Sequence, residues 1–276
     1  MKREDEAPPA GQPDKLTVGG AVLLALIAIS GFMTVGLLGQ MLKKDALQDP
    51  VTGVVALVVG PLIALFVALV RYAPNEDTAR ALGLRQAPRA LPLGLAVVAG
   101  AAAGLPLDDV VLRMFELFPR KLPAGAELAL EGNALSEVVL LVGVVLLIPV
   151  AHELLYRGFL LPRLVPRLKL WGAVGTVALL HAGELFMNPH YLPSVLGLAV
   201  LAGIAAVGGG VWAAIALHVS SQAASLLASL LGLAVPGQGS KGEIVHLGQT
   251  EAVVCGAVLL VAVVLMLTVG RRRAVA

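Results

Sequence analysis

The sequence predicts an all-α, polytopic membrane bundle of about eight transmembrane helices, and three observations carry that prediction. Hydrophobic residues make up 58% of the 276 and charged residues 14%, with a mean hydropathy of +0.90, whereas ordinary soluble domains are about 45–50% apolar. Apolar stretches of about 17–25 residues, the length a helix needs to cross a hydrocarbon core, recur along the whole chain. Lys and Arg gather in the connections between those stretches, which is how membrane topology is written into a sequence.

The candidate spans are 16–42, 51–70, 90–107, 136–162, 170–187, 192–207, 210–234 and 250–270. Ahead of the first, Met1 to Lys15 is polar and holds Pro8, Pro9 and Pro13, the composition of a disordered tail. The first span is too long for a signal-peptide core and lacks a small-residue cleavage site, so it is read as an anchor. Residues 16–270 then form a single integral membrane domain, and Arg271, Arg272 and Arg273 open a short basic tail over 271–276.

Orientation follows from the basic clusters. Lys2, Arg3 and Lys15 precede the first span; Arg71, Arg80, Arg85 and Arg89 follow the second; Arg163, Arg167 and Lys169 follow the fourth; Arg271 to Arg273 end the chain. An even number of spans puts all of them on one side, read as cytoplasmic, with both termini there and the plasma (inner) membrane as the expected location. The connection 107–136 carries Asp108, Asp109, Glu116, Glu127 and Glu131 and suits the opposite face. Val110, Val111, Met114, Phe115 and Phe118 recur within it at helical spacing, which predicts a short interfacial helix. Gly100 and Gly104 flank three alanines, a small-xxx-small spacing that lets helices approach closely.

The formal charge of +2 carries no basic stripe, so no nucleic-acid partner is expected. The single Cys255 rules out an internal disulfide and a cysteine metal cage.

Chemistry concentrates where charge is costly. His152, Glu153 and Arg157 sit inside an apolar run from Val138 to Leu161, and ionisable groups at membrane depth are a functional signal by default. Glu153 and Arg157 are one helical turn apart and can pair, which leaves the His152 imidazole free. His181 with Glu184 and His218 with Gln222 add polar groups to the fifth and seventh spans. Counted at 1.5 Å per residue, the three imidazoles lie at similar depth, roughly 12–17 Å from the cytoplasmic surface. Gln222, four residues after His218, shares its face, so both could donate to developing negative charge. Glu184 is expected to be a supporting or surface group near the outer end of its helix, and His190 and His246 are expected to be solvated in external loops.

Over about 136–230 these residues resemble the CPBP family, the CAAX-protease and bacteriocin-processing (Abi) group of glutamic-type intramembrane endopeptidases. The family's Glu-Glu-x-x-x-Arg, usually followed by Gly, falls on His152-Glu153-Leu154-Leu155-Tyr156-Arg157-Gly158, with His152 in place of the leading glutamate. Its Phe-x-x-x-His falls on Val177 to His181, and its His-x-x-x-Asn on His218 to Gln222, each keeping the histidine. The resemblance implies an endopeptidase acting near the C-terminus of a membrane-tethered protein or peptide. Water would be activated at positions 152 and 181, the oxyanion held by His218 and Gln222, and the site oriented by Glu153 and Arg157. No cofactor is implied.

A histidine can replace a carboxylate as general base, since its unperturbed pKa of about 6.5 is close to working pH. Three alternatives stand beside this reading. His152, His181 and His218 could ligate a catalytic zinc with Glu153 as base. The chain could be a catalytically impaired relative serving as a membrane scaffold or immunity-type partner. It could also be a small transporter with a proton or ion relay.

Overall fold

In lipid a backbone must satisfy its own polar groups, and long apolar runs without strand alternation do so as helices. The computed structural model describes residues 15–42, 50–118, 138, 141–184, 188–230, 236–238 and 244–275. Helices α1 (Val18–Leu42), α2 (Pro50–Tyr72), the short α3 (Thr78–Ala81) and α4 (Ala90–Leu117) form the first half. Then come a π-helical turn (Gly143–Leu147), α5 (Ile148–Glu153), a second π-helical stretch (Leu154–Leu160) and α6 (Leu161–Gly183). A 3₁₀ turn (Pro189–Tyr191), α7 (Leu192–Gly209), α8 (Val211–Leu230) and α9 (Gln249–Val275) complete the bundle. A two-residue antiparallel ladder pairs Gly237–Gln238 with Ile244–Val245 in the connection before α9.

Among the described residues, six stretches are long and apolar enough to cross a membrane: Val18–Leu42, Val51–Tyr72, Ala90–Leu117, Gly143–Gly183, Pro189–Gly209 and Gln249–Val269. The fourth, at 41 residues, is longer than one crossing needs. It is broken at Lys169, whose φ of 57° and ψ of 171° are non-helical, a backbone region that side chains other than glycine enter at a cost of about 1–3 kcal/mol. Division there, together with α8, gives the eight long helical segments expected from the sequence.

One boundary differs. The third helix does not stop at 107 to be followed by a separate interfacial helix; α4 continues through Pro106 to Leu117. Asp109, Leu112 and Phe115 carry its buried face past the proline, and this packing outweighs the single backbone hydrogen bond that Pro106 cannot make. The remainder of that connection, 119–137, lies outside the described residues, as does the tail over 1–14.

Two clusters of buried side chains form the interior. One joins Leu24 and Ala28 of α1, Ala64 and Ala68 of α2, Tyr156, Phe159 and Leu160 of the π-helical stretch, and Val174 and Val177 of α6. The other joins Ala96 and Ala99 of α4, Ala202 and Ala205 of α7, Ala214 and Leu217 of α8, and Met266 of α9. Alanine dominates the second cluster, because close helix approach supplies the packing that lipid, being equally apolar, does not drive. Gly100 and Gly104 show this directly. A methyl group on Gly100 would stand 2.1 Å from the carbonyl oxygen of Leu217, and one on Gly104 2.5 Å from that of Ser221. The expected contact motif therefore presses α4 onto α8, beside His218.

Candidate active site

Four elements bring their polar residues together. The end of α5 and the π-helical stretch after it carry His152, Glu153, Tyr156 and Arg157; the end of α6 carries His181; the middle of α8 carries His218. All six are buried, Glu153 and Tyr156 completely. The ring centroids of His152 and His181 are 4.9 Å apart, those of His181 and His218 6.0 Å, and those of His152 and His218 6.5 Å. The common depth expected from the sequence is thus matched by convergence in space. The seven-residue π-helical stretch is a wide turn of a kind frequent at functional sites, and it holds Tyr156 and Arg157.

Glu153 and Arg157 pair as their spacing predicts, Nη1 to Oε1 at 3.2 Å. Arg157 is held from two further sides. Its Nη1 lies 2.8 Å from His181 Nδ1, and its Nη2 donates to the carbonyl oxygen of Ala199 on α7. Glu153 Oε1 also accepts from His218 Nδ1 at 2.8 Å. These contacts assign the tautomers. A guanidinium only donates, so His181 Nδ1 is a lone pair and the ring's proton is on Nε2. An ionised carboxylate only accepts, so His218 carries a proton on Nδ1 and offers Nε2 to the site. Glu153 Oε2 and Arg157 Nε are buried without a partner among the described residues.

One expectation is narrowed here and one changes. Glu184, read from the sequence as a supporting or surface group, supports the cluster from within and not from the surface. Its Oε2 is 2.8 Å from His152 Nε2, and its Oε1 accepts from the Tyr156 hydroxyl at 2.5 Å. His152 is consequently not a free imidazole, because its Nδ1 faces the carbonyl oxygen of Ile148 at 2.8 Å. Both nitrogens meet acceptors, and the ring has no lone pair to spare. The same engagement counts against a zinc site on His152, His181 and His218, which needs one lone pair from each ring; among the described residues no group of three His, Cys, Asp or Glu is arranged around a common point for a metal. Gln222 stands one turn beyond His218, half-buried, and is bonded to none of these side chains.

A cavity of about 470 Å³ opens on the other side of Arg157. Glu76, Arg80, Gln86 and Arg163 line it, and it meets the cluster at Arg157 and Gly158 rather than at the imidazoles.

The two loop histidines are not simply solvated. His190 is buried, its ring stacked on Phe115 at 4.2 Å, with Nε2 donating to the carbonyl oxygen of Phe118 at 2.8 Å. This pins the turn before α7 to the continued end of α4, which the sequence, read with a break after 107, could not reveal.

His246 clamps the connection before α9 to the same helix. Its Nε2 meets Glu116 at 3.0 Å and its Nδ1 meets Asp109 at 2.7 Å, while Asp109 also binds Arg113 at 2.8 Å and the amide of Leu247 at 3.1 Å. Hydrogen bonds donated by His246 to Glu116 and Asp109 raise its pKa above the ordinary value. A raised folded-state pKa makes the clamp fully stabilising below about 6.5, the unfolded value. That stabilisation is lost as pH climbs through the folded value. The thermal midpoint in detergent should therefore fall as pH rises from about 6.5, and His246→Gln should flatten that dependence. An unchanged slope in His246→Gln would remove His246 as its source.

Residues 134–224 match the family model of the type II CAAX prenyl endopeptidase, Rce1-like. That segment, about a third of the chain, contains every residue of the cluster and all three motifs on which the CPBP resemblance rests. Neither a curated protein nor a solved structure matches the chain.

Proposed function

We propose that this integral membrane protein, CAAX-protease-like over 134–224, is an intramembrane endopeptidase hydrolysing a peptide bond near the C-terminus of a membrane-tethered protein or peptide. The observation that carries this reading is the buried convergence of three imidazoles on a Glu153–Arg157 pair. An arrangement of this kind is costly in a membrane, and a packing role does not require it.

The atoms left over define the chemistry. His181, fixed through Nδ1 by Arg157, offers an Nε2–H that can hold the oxygen of a water. His218, fixed through Nδ1 by Glu153, offers Nε2, which donates to an oxyanion in the ring form that has taken a second proton from solvent before the attack and returns it after the product leaves; the Glu153 carboxylate favours that form. Gln222, one turn along α8, lends a second donor when substrate is in place. The lipid bilayer holds the substrate's anchor, no metal or organic cofactor takes part, and both termini lie on the cytoplasmic side of the plasma membrane.

The test uses the full-length protein in liposomes with a pool of lipid-anchored peptides of varied C-terminal sequence, in water enriched in oxygen-18. Cleavage should place the label in the new carboxyl group. His181→Ala and His218→Ala should each lower kcat by about 10²-fold or more. Intact peptides with the unmodified protein would defeat the protease reading and favour the scaffold alternative.

A further inference from the structure

We infer that Glu184 is the general base of this site, the carboxylate that takes over from the glutamate the motif lacks at position 152. The inference rests on the endopeptidase reading and deepens it, because neither the motifs nor the family match assigns Glu184 a role.

Three observations support the assignment. First, His152 cannot serve as base in this arrangement: Nδ1 is spent on the Ile148 carbonyl and Nε2 on Glu184. Second, Glu184 is the cluster's more accessible carboxylate, its side chain 8% exposed against 0% for Glu153, which is tied to Arg157 and His218. Third, it is aimed. His152 and the Tyr156 hydroxyl hold one carboxylate oxygen each. Those same two rings stack on His181, at centroid distances of 4.9 Å and 4.7 Å. Each oxygen keeps a second lone pair, beside the imidazole whose Nε2–H is free to hold a water. The position emptied of a carboxylate at 152 has become the donor that orients a carboxylate from the next helix.

The reaction then balances. The water oxygen bonds to the scissile carbonyl carbon as one of its protons passes to Glu184, and the carbonyl π pair moves onto its oxygen. Collapse of the adduct breaks the carbon–nitrogen bond. The proton on Glu184 goes to the leaving amine, which restores the carboxylate.

The experiment is a double-mutant cycle over positions 152 and 184, with the full-length protein, the lipid-anchored peptide pool and oxygen-18 water. Glu184→Gln keeps the size of the side chain, still accepts from Tyr156 and can donate to His152, so its thermal midpoint and elution should match the unmodified protein. Its kcat should fall by about 10²-fold or more with little change in KM. His152→Glu/Glu184→Gln, which returns the carboxylate to 152, should recover at least about tenfold over Glu184→Gln. A purely structural Glu184 would give no such rescue. Full activity in Glu184→Gln, or a double variant no better than that single one, overturns the inference while leaving the endopeptidase reading in place. Absence of cleavage by the unmodified protein overturns both.

Discussion

Arg157→Ala should be the most damaging single substitution in this protein, costing about 3–5 kcal/mol of stability, the range found when one partner of a buried ion pair is removed. Glu153 would be left at 0% side-chain exposure with an unmatched negative charge, and one of its oxygens already has no partner among the described residues. His181 Nδ1 and the Ala199 carbonyl would lose their donor at the same time. The measurement is the unfolding midpoint in detergent, read beside the double variant Arg157→Met/Glu153→Leu. Replacement of a buried pair by apolar side chains of similar volume is close to neutral or stabilising, so the double variant should regain most of the lost stability and none of the activity. If Arg157→Ala were as stable as the unmodified protein, Glu153 would have to be neutral in the folded state, and the electrostatic account of the site would fail.

That pair was legible because both members lie on one turn of one helix, where spacing alone fixes proximity. The common depth of His152, His181 and His218 was legible for a related reason: distance along a membrane helix converts directly into depth. Contacts made across helices were not. Glu184 meets His152 across 32 positions of sequence, and the break at Lys169 between them sets where α6 places its far end. A positive φ at a lysine leaves no mark in hydropathy. The same limit explains His190 and His246: both lie in connections, and their partners on α4 are hidden from a reading that ends that helix at Leu107. Periodicity registers Phe115 of the buried face, but the acidic residues from Asp108 onward read as a connection and hide the continuity of the helix. For Gln222, one turn after His218, spacing fixes a common helical face and says nothing of a common partner.

Gly100 offers the second large effect, and it connects packing to chemistry. A methyl group there would meet the Leu217 carbonyl oxygen and the Ser220 hydroxyl oxygen, each at 2.1 Å. The first is backbone and cannot swing aside, so Gly100→Ala must push α8 away from α4. Overpacking of a close-packed interior costs about 1–3 kcal/mol, occasionally more, and a backbone clash belongs at the upper end. Leu217 immediately precedes His218, so the displacement also opens the 2.8 Å hydrogen bond to Glu153 that orients the imidazole. Misplacement of a catalytic group by about 1 Å can cost about 10²-fold in rate, and Gly100→Ala should lose activity on that scale without touching a polar residue. Gly94→Ala, on the same helix with nothing within 4 Å of the added carbon, is the control. Relief of glycine's entropy cost in a helix should leave it equal or more stable by about 0.5–1 kcal/mol. Equal behaviour of the two variants would mean that α4 does not seat α8, and that the position of His218 is set instead by Glu153 from the side of α5.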